Sequence, residues 1–364
     1  LGASACSSCD VGKYTNSPSQ TTCTSCNPGK IAASTGATVC SDCMSGRYVA
    51  LSGASACVAA PAGGYVPYSG MSQPMNCSAG SYTATTGLTV CSGCPLGQMV
   101  AVGGATACSS CGIGTYAGIT GLSVCAACES GQFANTTGLS SCLACQPGSY
   151  SVQPSNSQGA STCTLCGFGT YLAISQRSAC LTCDAGKFTN TLGSIECSEC
   201  ARGRYSAANA TTCTACELGT FQPNTAGVVC LPCTLGRFGA TTGLSACTAC
   251  QAGQIQTATG KTACVDCELG KHTTFTGQTS CQPCPSGSFA NVTGQAACTP
   301  CPAGKFVVRP SSSVGATMCQ ECGLGQYAPS TGASSCTDCA AGTYMVGSGA
   351  SVCTACPMGR SAIS

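Results

Sequence analysis

The chain of 364 residues carries 40 cysteines, while Leu, Ile, Val and Phe together number only 51. So thin an aliphatic complement fills no conventional core, and a net charge of +2 argues against both a disordered polyelectrolyte and a basic nucleic-acid binder. No run of 18 apolar residues offers a membrane span, residues 1–6 lack the charged and apolar parts of a signal peptide, and the cysteine density points to a covalent framework.

The cysteines fall in Cys-x-x-Cys pairs from Cys6/Cys9 to Cys353/Cys356. Counting Pro74 as the occupant of one slot, first slots lie 17 residues apart in seventeen of twenty intervals, which marks a tandem repeat. A glycine follows the second slot by three residues in all 21 units, from Gly12 to Gly359. An aromatic follows it by five in sixteen units, as at Tyr14, Tyr48 and Phe133, and a second glycine stands four residues before the next pair in seventeen. The unit is C-x-x-C-x-x-G-x-[YF], about six residues, then G-x-x-x-C. Each is expected to form a short irregular β-hairpin with no helix, a small disulfide-rich repeat that stacks into an elongated rod. The first glycine is expected to take a positive φ or to let backbone pass a disulfide. The aromatic is expected to lie against a disulfide or the next unit's glycine, and the second glycine to mark a turn.

In chain order, the opening units are regular as far as Cys57. There the rhythm demands cysteines at 60 and 74, and the sequence has Ala60 and Pro74, while Gly63, Tyr65 and Gly70 keep register. The two losses coincide at the second slot of one pair and the first slot of the next. If those two slots bond to each other, one disulfide disappears and no thiol is stranded, whereas a zinc tetrad would lose half its ligands. Sequential pairing follows: Cys9–Cys23, Cys26–Cys40, Cys43–Cys57, Cys77–Cys91, Cys94–Cys108, Cys111–Cys125, Cys128–Cys142, Cys145–Cys163, Cys166–Cys180, and onward to Cys339–Cys353. Cys6 and Cys356 are then left to pair beyond this stretch, and a nested pattern, 57 with 77 outside 60 with 74, fits the same count. The irregular joint at 57–77 is expected to be softer than the rest. Further on, Cys142 to Cys163 and Cys298 to Cys319 are lengthened to 21 by similar inserts, Val152–Asn156 and Val308–Ser312, whose Pro-Ser stretches suit O-linked sugar. Cys197 to Cys213 is shortened to 16. Both ends are cut within a unit, so the array is read as part of a longer chain.

Few residues suggest chemistry. Nine of thirteen basic residues share the position after the repeat glycine, and the acids flank or occupy the Cys-x-x-Cys elements, as in Asp10/Lys13, Asp184/Lys187 and Glu268/Lys271. This stripe reads as a solvated face with local ion pairs rather than a polyanion site. His272 occupies an aromatic slot. No Ser/His/Asp set, paired carboxylate or phosphate loop can be assembled, so no enzyme, cofactor or structural metal is expected. Sequons at Asn135, Asn209 and Asn291, with a weaker one at Asn76, are candidate N-glycan acceptors.

The pattern C-x-x-C-x-x-G-x-Y with a downstream T-G-x-x-x-C resembles the ephrin-receptor-like cysteine-rich repeat. Units such as Cys284-Pro285-Ser286-Gly287-Ser288-Phe289 are also similar to modules of tumour necrosis factor receptors. Long neutral arrays of this kind resemble extracellular filament and surface proteins of protists and algae, including flagellar-hair (mastigoneme) proteins. The resemblance implies an extracellular, secreted or cell-surface structural protein whose partners are copies of itself or other filament proteins. The other reading is the ectodomain of a receptor or adhesin. With a fixed advance per unit, twenty units would extend on the order of 150–300 Å.

Overall fold

The computed structural model describes residues 5–153, 158–308, 310 and 314–362. Each unit opens on a four-residue turn. In the first, Asp10–Lys13, the Lys13 N–H donates to the Asp10 carbonyl (3.1 Å) and Gly12 stands third with φ +83°, while Val11 stays at negative φ. That combination is a type II turn, whose third position requires positive φ and whose second favours proline. Pro28 and Pro147 fill that second position in their own units.

The turn delivers strand β1 (Lys13–Tyr14), which pairs antiparallel with β2 (Thr24–Ser25), Lys13 opposite Ser25 and Tyr14 opposite Thr24. The second strand is thus the two-residue link inside Cys23-x-x-Cys26. Cys9–Cys23 closes the loop with its Cα atoms 5.7 Å apart, and the Cys26 N–H donates to the Gly12 carbonyl (2.9 Å). Two rungs are all that fit between these closures. Every strand has two residues, and no helix occurs among the described residues. The expected irregular hairpin with little strand is what each unit forms.

The chain divides into two compact units, Leu1–Leu181 with Thr191–Glu196, and Thr182–Asn190 with Cys197–Ser364. Nine such hairpins lie in the first and ten in the second. Within each, the repeats are joined by the same backbone bonds. Gly12 N–H donates to Ala32 O (2.9 Å), Thr15 N–H to Ala37 O (3.1 Å), and Gly36 N–H back to Cys9 O (2.8 Å). The same three bonds recur one unit on: Gly29 to Val49, Ala32 to Ala54, and Gly53 to Cys26.

A further contact skips a repeat. The carbonyl of Gly53 lies against Gly12 so closely that a Cβ there would overlap it, and the relation recurs from Gly29 on Gly70 to Gly304 on Gly349. The positive φ expected of the repeat glycine is present. What passes close to it is the turn glycine two units later, not a disulfide. That turn slot also has positive φ, and where glycine is missing from it Ser19, Gln176, Asn209 and Ala226 adopt φ of 54–67°. Gly159 and Gly315, in the two lengthened units, keep the close approach without the positive φ.

Each repeat contributes its own small share of buried residues. The second-slot cysteines are buried (Cys26, Cys43 and Cys94 are 0% exposed), and so is the residue after the aromatic slot, as at Ala32, Val49, Thr83, Leu172 and Gln222. Polar residues are accepted there because each is bonded. Thr83 Oγ1 accepts from Gly63 N–H (2.8 Å) and donates to Gly64 O, and the Gln222 and Gln256 amides donate to Val229 O (2.6 Å) and Ala263 O (2.7 Å). The aromatics are half-buried. Phe289 packs against the buried cluster of Cys301, Val307 and Ala316 in the next unit.

The irregular joint keeps the fold without its crosslink. Ala60 is fully buried in a cysteine's place, Gly64–Tyr65 pairs with Met75–Asn76, and Ala60 N–H donates to Gly46 O (2.9 Å). The lengthened loops Cys145–Cys163 and Cys301–Cys319 retain their hairpins, and the short one, Cys200–Cys213, does as well.

The repeat surface as candidate functional site

Among the described residues the cysteines form nineteen disulfides, each joining a second slot to the next first slot, from Cys9–Cys23 to Cys339–Cys353. Cys57 and Cys77 bond to Cys43 and Cys91, which leaves no place for the nested pattern at that joint. Cys6 and Cys356 carry free thiols.

His272 stands in the aromatic slot, with its Nδ1 3.1 Å from Gln282 O and 3.1 Å from Cys298 Sγ. A carbonyl only accepts, so Nδ1 bears the proton and points it at both atoms. The imidazole and the sulfurs of Cys284 and Cys298 lie within 4.8 Å of one another, but the two sulfurs are bonded to each other. The cluster offers one imidazole and no thiolate.

The charged positions are set by ladder register. The residue after the repeat glycine lies opposite the second residue of the Cys-x-x-Cys link, as Lys30 opposite Asp42 and Lys305 opposite Glu321. These pairs close at 2.7 and 3.2 Å. Of the three pairs singled out in the sequence, Glu268–Lys271 closes at 3.0 Å, and Asp10/Lys13 and Asp184/Lys187 form no ion pair among the described residues. Arg47, Arg204 and Arg237 instead donate to the carbonyls of Cys57, Cys213 and Cys247 at 3.0–3.1 Å. Exposed pairs of this kind contribute at most about 1 kcal/mol each. A hydrogen bond from Ser348 (2.8 Å) and then the Lys305 ammonium hold the Glu321 carboxyl below the usual carboxylate range.

Asn135 and Asn291 are exposed two residues after their aromatics. Asn209 is exposed in a turn slot at φ +60°, its N–H donating to Cys183 O (2.8 Å), and Asn76 is exposed on a strand. Of the Pro-Ser inserts, Pro154, Ser155, Asn156, Arg309, Ser311 and Ser312 lie outside the described residues. A surface depression of about 360 Å³ at Phe133, Leu143 and Gln146 is lined by no titratable group. No described helix is long and apolar enough to cross a membrane.

The family described as tyrosine-protein kinase ephrin type A/B receptor-like matches residues 203–243, 274–314 and 325–364. The first of these segments begins and ends on Gly203 and Gly243, the two glycines of one skip-repeat contact. No curated protein matches the chain. Nineteen disulfides and a receptor-type repeat together point to an extracellular or cell-surface location. Three segments of the chain thus match the ephrin-receptor-like family, and the same cysteine register runs through the other units.

Proposed function

We propose that the chain is a structural, non-catalytic rod that serves as a subunit of an extracellular filament or coat and associates with copies of itself or with other filament proteins. The observation that carries this reading is the skip-repeat glycine contact. Within each compact unit it ties repeats to those two further on with the same geometry, which supports a similar rise and rotation from one repeat to the next. A surface of small neutral residues permits lateral packing with little charge repulsion, and identical units present the same patch repeatedly, which suits open-ended assembly. N-glycans on Asn135, Asn209, Asn291 and Asn76 belong to the same proposal.

Electron microscopy and small-angle scattering of the isolated chain test it. The expected result is an elongated particle of about 150–300 Å that self-associates laterally. A compact particle, with a radius of gyration near about 21 Å, would overturn it.

The second reading, a receptor or adhesin ectodomain, is supported by the receptor-like family match and by the local departures at Ala60, Pro74 and the two lengthened loops. It expects a monodisperse rod that binds one soluble protein tightly at such a departure.

A further inference from the structure

We propose that the segment between Cys57 and Cys77 is a releasable link, the one complete unit among the described residues that can be drawn open without breaking a disulfide. In every other complete unit the bonded cysteines hold their Cα atoms 5.6–5.8 Å apart. A pull along the chain therefore passes through the sulfur bridge and stretches only the two-residue link to the next unit.

Between Cys57 and Cys77 the load has no such bypass. Cys57 is bonded backward to Cys43 and Cys77 forward to Cys91, so tension runs through all the intervening backbone. What resists it is non-covalent. Gly64–Tyr65 pairs with Met75–Asn76, Gly63 N–H donates to Thr83, Cys77 N–H donates to Gly63 O (3.0 Å), and Ala60 is fully buried. These are the bonds of its neighbours, so at rest the unit matches them. The difference appears only under load.

Drawing residues 60–74 from a closed loop to an extended chain adds about 45 Å of contour length. Among the complete loops of the described residues, this is also the one that a single cut divides. Tyr68, Ser69, Ser72 and Gln73 are exposed, and a peptide bond hydrolysed among them leaves two pieces with no bridge between. A cut inside a crosslinked loop leaves the chain joined through its disulfide. This inference does not depend on the filament reading, since a receptor stalk would carry the same link.

The test is single-molecule stretching of the full chain between terminal handles without reductant. One step of about 45 Å is expected, at lower force than any other event. In A60C/P74C, which restores the repeat's own bond, the step disappears once peptide mapping verifies a disulfide between positions 60 and 74. Adding reductant to the unsubstituted chain produces many further steps of similar size. As an independent readout, limited chymotrypsin digestion, with cleavage after Tyr68 verified by peptide mapping, gives two fragments on a non-reducing denaturing gel, and A60C/P74C cut at that same bond stays in one piece. Absence of the step in the unsubstituted chain, or its persistence in the verified A60C/P74C chain, would overturn the proposal.

Discussion

The carbonyl oxygen of Gly53 sits where a side chain on Gly12 would begin. With no Cβ, Gly12 turns a second α-hydrogen toward that oxygen, a weak Cα–H···O contact, while its own N–H and carbonyl serve Ala32 and Cys26. One residue thereby meets its own loop, the next unit and the one after, and only glycine fits where that contact forms.

Substituting such a glycine is expected to be costly and local. Gly97→Ala combines φ +77° with overlap on Gly138 O, and a loss of roughly 2–5 kcal/mol is expected. Hydrogen exchange should show protection falling over residues 94–138 and unchanged over 253–294. Gly138→Asn is the control. A Cβ there meets only Ser110 at ordinary distance, and Asn209 already holds the equivalent slot, so the cost is at most about 1 kcal/mol.

Covalent closure of each loop is checked by non-reducing peptide mapping, which should recover Cys26 with Cys40 and Cys111 with Cys125. Removing one bridge as C26S/C40S should lower stability by about 3 kcal/mol on loop-entropy grounds. Chelator should leave the circular dichroism spectrum unchanged while reductant abolishes it. Unfolding by chelator alone would mean that metal replaces the bridges.

Glu321 should titrate below the usual carboxylate range in carbon-detected NMR. A carboxylate with a lowered folded-state pKa stabilises the fold at pH above its unfolded value, and that contribution fades as pH falls through the lowered one. Ser348→Ala removes the largest single cause, and Lys305→Met removes both a hydrogen bond and a charge. Each should move the midpoint upward.

Glycan occupancy is expected at Asn135, Asn209 and Asn291, read as labelled aspartate after enzymatic deglycosylation in heavy-oxygen water. At Asn209 the sequon should be broken through Thr211→Ala. The asparagine itself supports the turn at φ +60°, and replacing it would confuse a backbone effect with loss of sugar.

The rhythm of the cysteines made the hairpin unit legible, and the joint loss at Ala60 and Pro74 pointed to which slots belong together. The buried station after the aromatic was not legible, because Ala32, Thr83, Leu172 and Gln222 share no residue type. What they share is backbone: each lends its N–H or carbonyl to a neighbouring repeat, and the side chain need only fit or find a partner. The skip-repeat contact was hidden for a different reason. Gly12 and Gly53 stand 41 residues apart, and a repeat analysed one unit at a time shows each as an isolated turn glycine. Lys30 and Asp42 were likewise separated in sequence and joined by ladder register.

The skip-repeat contact also constrains how a gene for such a chain can lengthen. Copying or deleting whole 17-residue units returns every glycine to an equivalent carbonyl, so array length can drift between lineages without refitting any joint. A part-unit change must leave both anchors in place, as three do in this chain: Gly114 meets Gly159 and Gly270 meets Gly315 across 45 residues, and Gly203 meets Gly243 across 40, instead of 41. Recombination within the array should therefore leave a record of whole-unit gains interrupted by rare changes of loop length.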